Sequence, residues 1–323
     1  MCAERGADVT DPVQAKLLVD VSTDYYLGNR SKVEIAKEHG ISRFQVARML
    51  VQARELGIVR IEISPPAHLD GARAGDLAAA LGVSHVHIAR TGEDGDATRA
   101  SVAAGLAAVV RERAVRGMTL GVSWSRTVEL AARDLAGLPP CDVVQLVGAL
   151  PVEGSGNSVE LIHRFKAQPG VRTWPIWAPL VVDDAATAAG LRRQPEIAQT
   201  LDRAGSLDLA VVAIGAWSAH ASTVYDLAPE EDRRAGRDAG AVAECSGRLF
   251  DDSGAPVRTA LDERVVGVTI EQLVRTPEVV AVGYGAEAAR GLCAAVRGGF
   301  ASVLVVDEAC ARELATICGA GAS

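Results

Sequence analysis

From Ser42 to Arg54 the chain carries three arginines and no acid. Arg43, Phe44, Gln45 and Arg48 fall in the first two turns of a helix expected there, where side chains reach outward together. An arginine can hold guanine O6 and N7 with two N–H groups, and a glutamine can do the same at adenine. Each such pair discriminates between bases by about 1–3 kcal/mol. Ser42 and Gln45 also stand at capping-box spacing, so Gln45 has a second candidate role in closing the start of the helix. Phe44 suits either packing or contact with a thymine methyl, and Lys32 suits a phosphate.

A second set of residues has a different chemistry. Gly121-Val122-Ser123-Trp124-Ser125-Arg126-Thr127 follows an apolar run and opens a helix. Hydroxyls, unpaired first-turn N–H groups and an arginine converge there, which is what an anion site needs. The simpler role for Ser125 is to cap the helix. Residues 245–254, CSGRLFDDSG, offer Arg248 and Asp251, although DDSG alone makes a turn. Gly283-Tyr284-Gly285-Ala286-Glu287-Ala288 repeats the order of strand, glycine loop and helix. His85 and His87 share one side of a strand without a third ligand at metal spacing. The six cysteines are scattered with no C-x-x-C pair, so neither a metal nor a cofactor is implied.

The elements that must position these residues are readable from periodicity. Ser31 and Glu34 form one capping box, and Ser42 and Gln45 form another eleven residues later. Gly40 between them accepts the positive φ of a tight helix-to-helix turn. Val33, Ile35, Ala36, Ile41, Val46, Leu50 and Ala53 are expected to close one small core. A helix over 11–27 precedes the pair, Gly57 ends it, and GIVRIEI (57–63) alternates as a strand would. Three helices and a strand make a winged helix-turn-helix domain over 11–64, a shape that enters a DNA major groove. Ser64-Pro65-Pro66 reads as the linker.

Over 65–323, apolar runs at 83–89, 119–124, 142–148, 207–215, 279–285 and 302–308 alternate with helices, among them 97–113, 125–135, 287–297 and 308–318. That alternation implies an α/β domain with a parallel sheet covered on both faces. In such sheets ligands sit at the carboxyl ends of the strands. The net charge of −8 is unevenly spread. Residues 11–64 carry eight Lys/Arg against seven Asp/Glu, whereas 65–323 carry 24 against 32. A neutral small domain with a local basic face is compatible with DNA, and an acidic large one discourages indiscriminate polyanion binding. No window approaches eighteen apolar residues and no basic, apolar leader opens the chain, so a cytoplasmic protein without a membrane span is expected.

The helix-turn-helix, GVSWSRT, VQLVGAL, GRLFDDSG, GYGAEAARGLCAAVRGG and VLVVDEACA, in this order, resemble the SorC/DeoR-type sugar-binding bacterial transcriptional regulators. The likeness runs from about residue 25 to residue 314. It includes the landmarks Tyr25-Tyr26, Ile35-Ala36, Ser42-Arg43, Ala53-Arg54 and Gly57-Ile58-Val59. It implies a regulator of operator DNA whose C-terminal domain, similar in fold to sugar-phosphate isomerases, binds a sugar or sugar-phosphate effector. It also implies a homo-oligomer, a dimer or tetramer. Through it, Gly121 and the turn Ser123 to Thr127 are expected to hold the effector's phosphate, with Gln145 and Gly148 at the QLxG strand end. Asp251 is expected to face sugar hydroxyls, and Asp307 is a further contact. Where the family's glycine loop leads to a lysine, this chain has Ala288 after Glu287, so a phosphate would depend on Arg126, Arg248 and backbone amides. The alternative is a sugar-phosphate isomerase or deaminase with an accessory helical domain, for which Asp251 and Glu287 are the nominees as acid and base.

Overall fold

The computed structural model describes residues 12–28, 30–59, 71–150 and 158–320. The chain divides into two compact units, residues 1–66 and 67–323.

The first unit holds α1 (Pro12–Tyr26), α2 (Lys32–Glu38) and α3 (Arg43–Glu55). Both capping boxes form. Ser31 Oγ accepts from the Glu34 N–H and Glu34 accepts back from the Ser31 N–H; Ser42 and Gln45 do the same. Gly40 sits at φ +64° in the turn between them. Leu18, Val21, Ile35, Ala36, Val46, Leu50 and Ala53 are buried, with Ile41 packed against them. Val33, expected in this core, is instead 64% exposed. It lies two residues before Ile35, and residues at that spacing do not share a helix face. Gly57 follows α3 at φ +71°, and residues 57–59 are turn and bend. The rest of the expected wing strand, and the Ser64-Pro65-Pro66 linker, lie outside the described residues.

The second unit opens with α4 (Gly71–Leu81), β1 (His85–Ala89), α5 (Gly95–Arg113), β2 (Thr119–Val122), α6 (Arg126–Asp134) and β3 (Asp142–Gln145). It continues through α7 (Ser158–Lys166), β4 (Arg172–Trp174), α8 (Ala185–Arg192), α9 (Pro195–Arg203), β5 (Leu209–Ala216), α10 (Thr223–Leu227) and α11 (Glu230–Asp238). A hairpin follows, β6 (Ala243–Cys245) and β7 (Arg248–Phe250). The last elements are α12 (Ala260–Arg264), α13 (Ile270–Val274), β8 (Glu278–Val282), α14 (Ala288–Arg297), β9 (Val303–Asp307) and α15 (Glu308–Ala320).

The main sheet runs β1-β9-β8-β5-β2-β3-β4, every pair parallel. Successive strand residues feed opposite faces. Leu120, Val122, Val143, Val211, Val280 and Val305 join a core with α5, α6 and α7. Val144, Val212, Val279, Ala281, Leu304 and Val306 join another with α4, α14 and α15. Both faces are therefore apolar, which is why the strands read as continuous hydrophobic runs. After β2 the chain steps outward to β3 and β4, and after β5 it steps the other way to β8 and β9. The crevice between the carboxyl ends of β2 and β5 is thus a topological switch point, where α/β sheets place ligands.

Three strands escaped the sequence reading: β4 at one edge of the parallel sheet, and the β6–β7 hairpin. The end of β5 leaves the parallel sheet to pair antiparallel with β6, and β6 pairs with β7. Ser246 and Gly247, at φ 57° and 78°, join β6 to β7. Two positive φ values in a two-residue loop define a type I′ turn. No helix among the described residues is long and apolar enough to cross a membrane.

Candidate functional site

A cleft of about 1000 Å³, counting its open mouth, lies at the switch point. One wall is the β2–α6 turn, with Trp124, Ser125, Arg126 and Thr127. Ser125 caps α6 by accepting the Val128 N–H at 3.1 Å. Arg126 is exposed, with no ion pair or hydrogen bond among the described residues. Trp124 is 6% exposed and lines the cleft, yet its indole N–H is buried without an acceptor among the described residues. A buried N–H left in that state costs about 1–3 kcal/mol, and an acceptor on a ligand in the cleft would satisfy it.

The hairpin forms a second wall through Glu244, Ser246 and Gly247. Glu244 accepts from Ser222 Oγ at 2.9 Å and from the Gly247 N–H at 2.9 Å, closing its own turn and tying it to the cap of α10. Burial pushes the Glu244 carboxyl above its ordinary range, and the hydrogen bonds from Gly247 and Ser222 offset part of that. Ser246 and Ser123 share a hydroxyl hydrogen bond of 3.1 Å, so Ser123 joins the hairpin to the end of β2 from beneath the wall. The loop after β5 adds His220, in the left-handed region at φ 65°, whose backbone N–H donates to Asp226 at 3.0 Å. Tyr284, Glu287 and Ala288 close the far side.

Trp124, Ser125, Arg126, Thr127 and Glu287 are therefore brought together. The other expected contacts do not line the cleft. A Cβ at Gly121 would stand 2.6 Å from Leu207, and one at Gly148 would stand 2.5 Å from the Pro179 carbonyl, so close packing requires glycine at both. Gln145 is buried, donating to the Val147 carbonyl at 2.6 Å and accepting from the Ile176 N–H at 3.2 Å. Arg248 is not a surface cation. Its guanidinium is buried against Asp262 at 2.9 Å and against carbonyls of the 262–268 segment. Asp251 does not face the cleft: its Oδ1 accepts from Ser253 N–H and Oγ and from the Ala255 N–H, completing the DDSG turn. These bonds, the Ser253 hydroxyl first, hold its carboxyl below the usual range. Asp307 accepts from the Gly285 N–H at 2.9 Å and the Cys310 N–H at 3.1 Å, pinning the glycine loop while starting α15.

Residues missed by sequence reasoning are Arg99, Ser222, Glu244 and Ser246. Ser246-Gly247 between two short apolar runs was a faint hairpin signal. Nothing local marked Glu244, because its partners are brought to it by the sheet.

In the first unit, Arg43, Phe44, Gln45 and Arg48 are exposed on α3, and Phe44 is 71% exposed. The Arg43 guanidinium stacks 4.9 Å from the Phe44 ring, and Lys32 lies 5.5 Å from the Tyr25 ring. Arg43 and Arg48 have no carboxylate partner among the described residues. Gln45 Oε1 accepts the Ser42 N–H at 2.8 Å, so its oxygen is committed to the cap while its NH₂ group remains.

The Sugar-bind family model, of sugar-binding domains, matches residues 72–316. The chain belongs to this family. It is similar to the uncharacterized transcriptional regulator YjhU of Escherichia coli (strain K12), 27% identical over 307 residues, 90% of this chain and 91% of that one. It is also similar to the deoxyribonucleoside regulator of Bacillus subtilis (strain 168), 26% identical across 94% of this chain and 98% of that protein. Among solved structures, the full-length sorbitol operon regulator SorC of Klebsiella pneumoniae superposes with a TM-score of 0.79 at 20% identity, over 94% of this chain and 99% of that one. The fold is thus shared with a full-length SorC-type regulator over 94% of this chain, in line with the resemblance that the sequence motifs carry.

Proposed function

We propose that this chain is a transcriptional regulator, with residues 11–64 binding operator DNA through α3 and residues 65–323 binding a small sugar-derived effector. The observation that carries the effector half is the cleft at the switch point, where Arg126 and the indole N–H of Trp124 have no partner among the described residues. Ser125, Arg126, Thr127 and Trp124 hold the ligand's oxyanion or acceptor groups, and Glu244 with Ser222 and Ser246 meets its hydroxyls. Arg43 and Arg48 read base edges, Lys32 contacts phosphate, and Ser42 with Gln45 fixes the start of the reading helix. The names of two relatives, a deoxyribonucleoside regulator and a sorbitol operon regulator, fit this reading.

The reading is of a regulator and not an enzyme. Asp251, one of the two residues expected as acid or base in the enzyme alternative, is taken up by its own turn, and the relatives carry the names of regulators. In a cytoplasmic homo-oligomer, effector binding shifts the balance between arrangements with different spacing of the DNA-binding units, by as much as the effector's affinities for the two differ. A thermal-shift screen of free and phosphorylated sugars, followed by operator binding with and without the stabilising compound, tests this. A hit that shifts stability and changes operator affinity is the expected result. Stabilisation with no effect on DNA, or steady turnover of the hit, would sink it.

A further inference from the structure

The cleft wall holds a cation to which none of the sequence motifs points. Arg99 lies in the second turn of α5, with a side chain 20% exposed, and lines the cleft. Its Nη1–H donates to Asp96 Oδ1 at 2.6 Å and its Nη2–H to Tyr284 Oη at 2.5 Å. The guanidinium carbon lies 5.3 Å from the centre of the Tyr284 ring. Tyr284 itself sits in the loop whose Gly285 N–H is held by Asp307. The guanidinium is thereby fixed from α5 on one side and from the β8–α14 loop on the other. These two partners use two of the five N–H groups of an arginine, and the others have no acceptor among the described residues.

The rest of that wall supplies no competing cation: Ala288, at the start of α14, is 5% exposed and apolar. Arg126 is the other guanidinium lining the cleft among the described residues. Of the carboxylates lining it, Glu244 is engaged by Ser222 and Gly247, while Asp226 accepts from His220. Glu287 is the remaining one. A guanidinium pre-positioned by neighbours loses less freedom on binding, and its fork matches the paired oxygens of a phosphate or carboxylate.

We propose that Arg99 is a further effector-binding residue, its pre-positioned guanidinium meeting an oxyanion of the ligand. This rests on the effector reading above and adds a residue to it that no motif marks. The full-length protein, wild type, Arg99→Gln and Arg99→Lys, is titrated with D-ribose 5-phosphate, D-fructose 6-phosphate, D-gluconate, D-ribose and D-fructose. At least one anionic compound is expected to bind the wild type, with Arg99→Gln weakening it by about tenfold or more and Arg99→Lys by less. The salt dependence of that affinity is expected to become shallower in Arg99→Gln, a change that loss of a purely structural tie would not produce. Which of the phosphates and gluconate responds identifies the oxyanion. An anionic ligand bound equally by wild type and Arg99→Gln overturns the inference, as does binding of neutral sugars alone, and in both cases the effector reading stands. Failure of every compound to bind the wild type overturns both. Should Arg99→Gln not fold, Tyr284→Phe, which removes only the phenolic anchor, is expected to weaken the anionic ligand alone by about threefold; no change there overturns the inference.

Discussion

The two units treat their charged groups in opposite ways. On α3, Arg43 and Arg48 are exposed and without carboxylate partners among the described residues, and the ion pairs of that unit, Asp24 with His39 and with Arg30 and Arg30 with Glu38, lie near the surface. In the larger unit, Arg248 is buried against Asp262, Arg264 meets Asp232 at 2.5 Å, and Glu244 is buried with hydroxyl and amide donors in place of a cation. An exposed, unpaired guanidinium keeps its donors for an incoming polyanion. A buried pair has already committed them to the fold. The same residue type therefore reports recognition in one unit and architecture in the other. Arg126 and Arg99 are the instructive exceptions, since they stand inside the large unit with donors to spare.

The widest gap between the units should appear on substituting arginines. Arg43→Ala with Arg48→Ala is expected to weaken operator binding by about 1–3 kcal/mol for each base that an arginine reads, with effector-induced thermal shifts unchanged. Fluorescence anisotropy on operator DNA measures this, and sequence-specific binding at wild-type affinity would erase the contrast. By comparison, Trp124→Phe keeps an aromatic ring and removes an N–H that has no acceptor among the described residues. Effector affinity should fall by about 1 kcal/mol, while in the ligand-free protein the void left by the smaller ring offsets the relief of the unsatisfied N–H and the melting temperature stays nearly fixed. Loss of stability without loss of affinity would assign Trp124 to the core alone. Ser42→Ala is expected to lower the stability of the first unit by about 1 kcal/mol through its cap, leaving the melting of the larger unit untouched.

The smallest effects are those of pH, and their signs differ between units. Asp24 is held below its ordinary value of 3.8, chiefly by the hydrogen bond from His39. Its contribution to stability is present above that value and is lost as pH falls through the folded pKa. Glu244 is displaced the other way, upward from 4.5 by burial. The folded state then holds the proton more tightly, so its contribution is present below pH 4.5 and is lost as pH rises through the folded pKa. Thermal melts across pH should show Asp24→Asn flattening the acid limb of the first unit and Glu244→Gln flattening the decline of the second. A Glu244→Gln profile that keeps the wild-type slope would mean that another group carries it.

How much was legible follows the range of the interactions. The capping boxes at Ser31/Glu34 and Ser42/Gln45 span three residues each, and both formed as read. The parallel strands were legible because burial on both faces leaves unbroken apolar runs. Trp124, Ser125, Arg126 and Thr127 share one wall of the cleft because strand, polar turn and helix are contiguous. Asp251 and Arg248 lie away from the cleft wall, because a run of residue types does not record whether a side chain faces a ligand, its own turn or a buried carboxylate. Val33 misled for a simpler reason, one helix face mistaken for its neighbour.

By itself, then, the sequence determined the units of local physics: capped helices, an anion-type turn, a covered parallel sheet, and a basic helix face on an otherwise acidic chain. Only the tertiary structure decided which of the chemical side chains share a cavity. Arg99 and Tyr284 are 185 residues apart and Ser123 and Ser246 are 123 apart, and no periodicity links positions at such separations. They meet because the chain reverses its winding between β2 and β5, which gathers the loops of distant strands at one edge of the sheet.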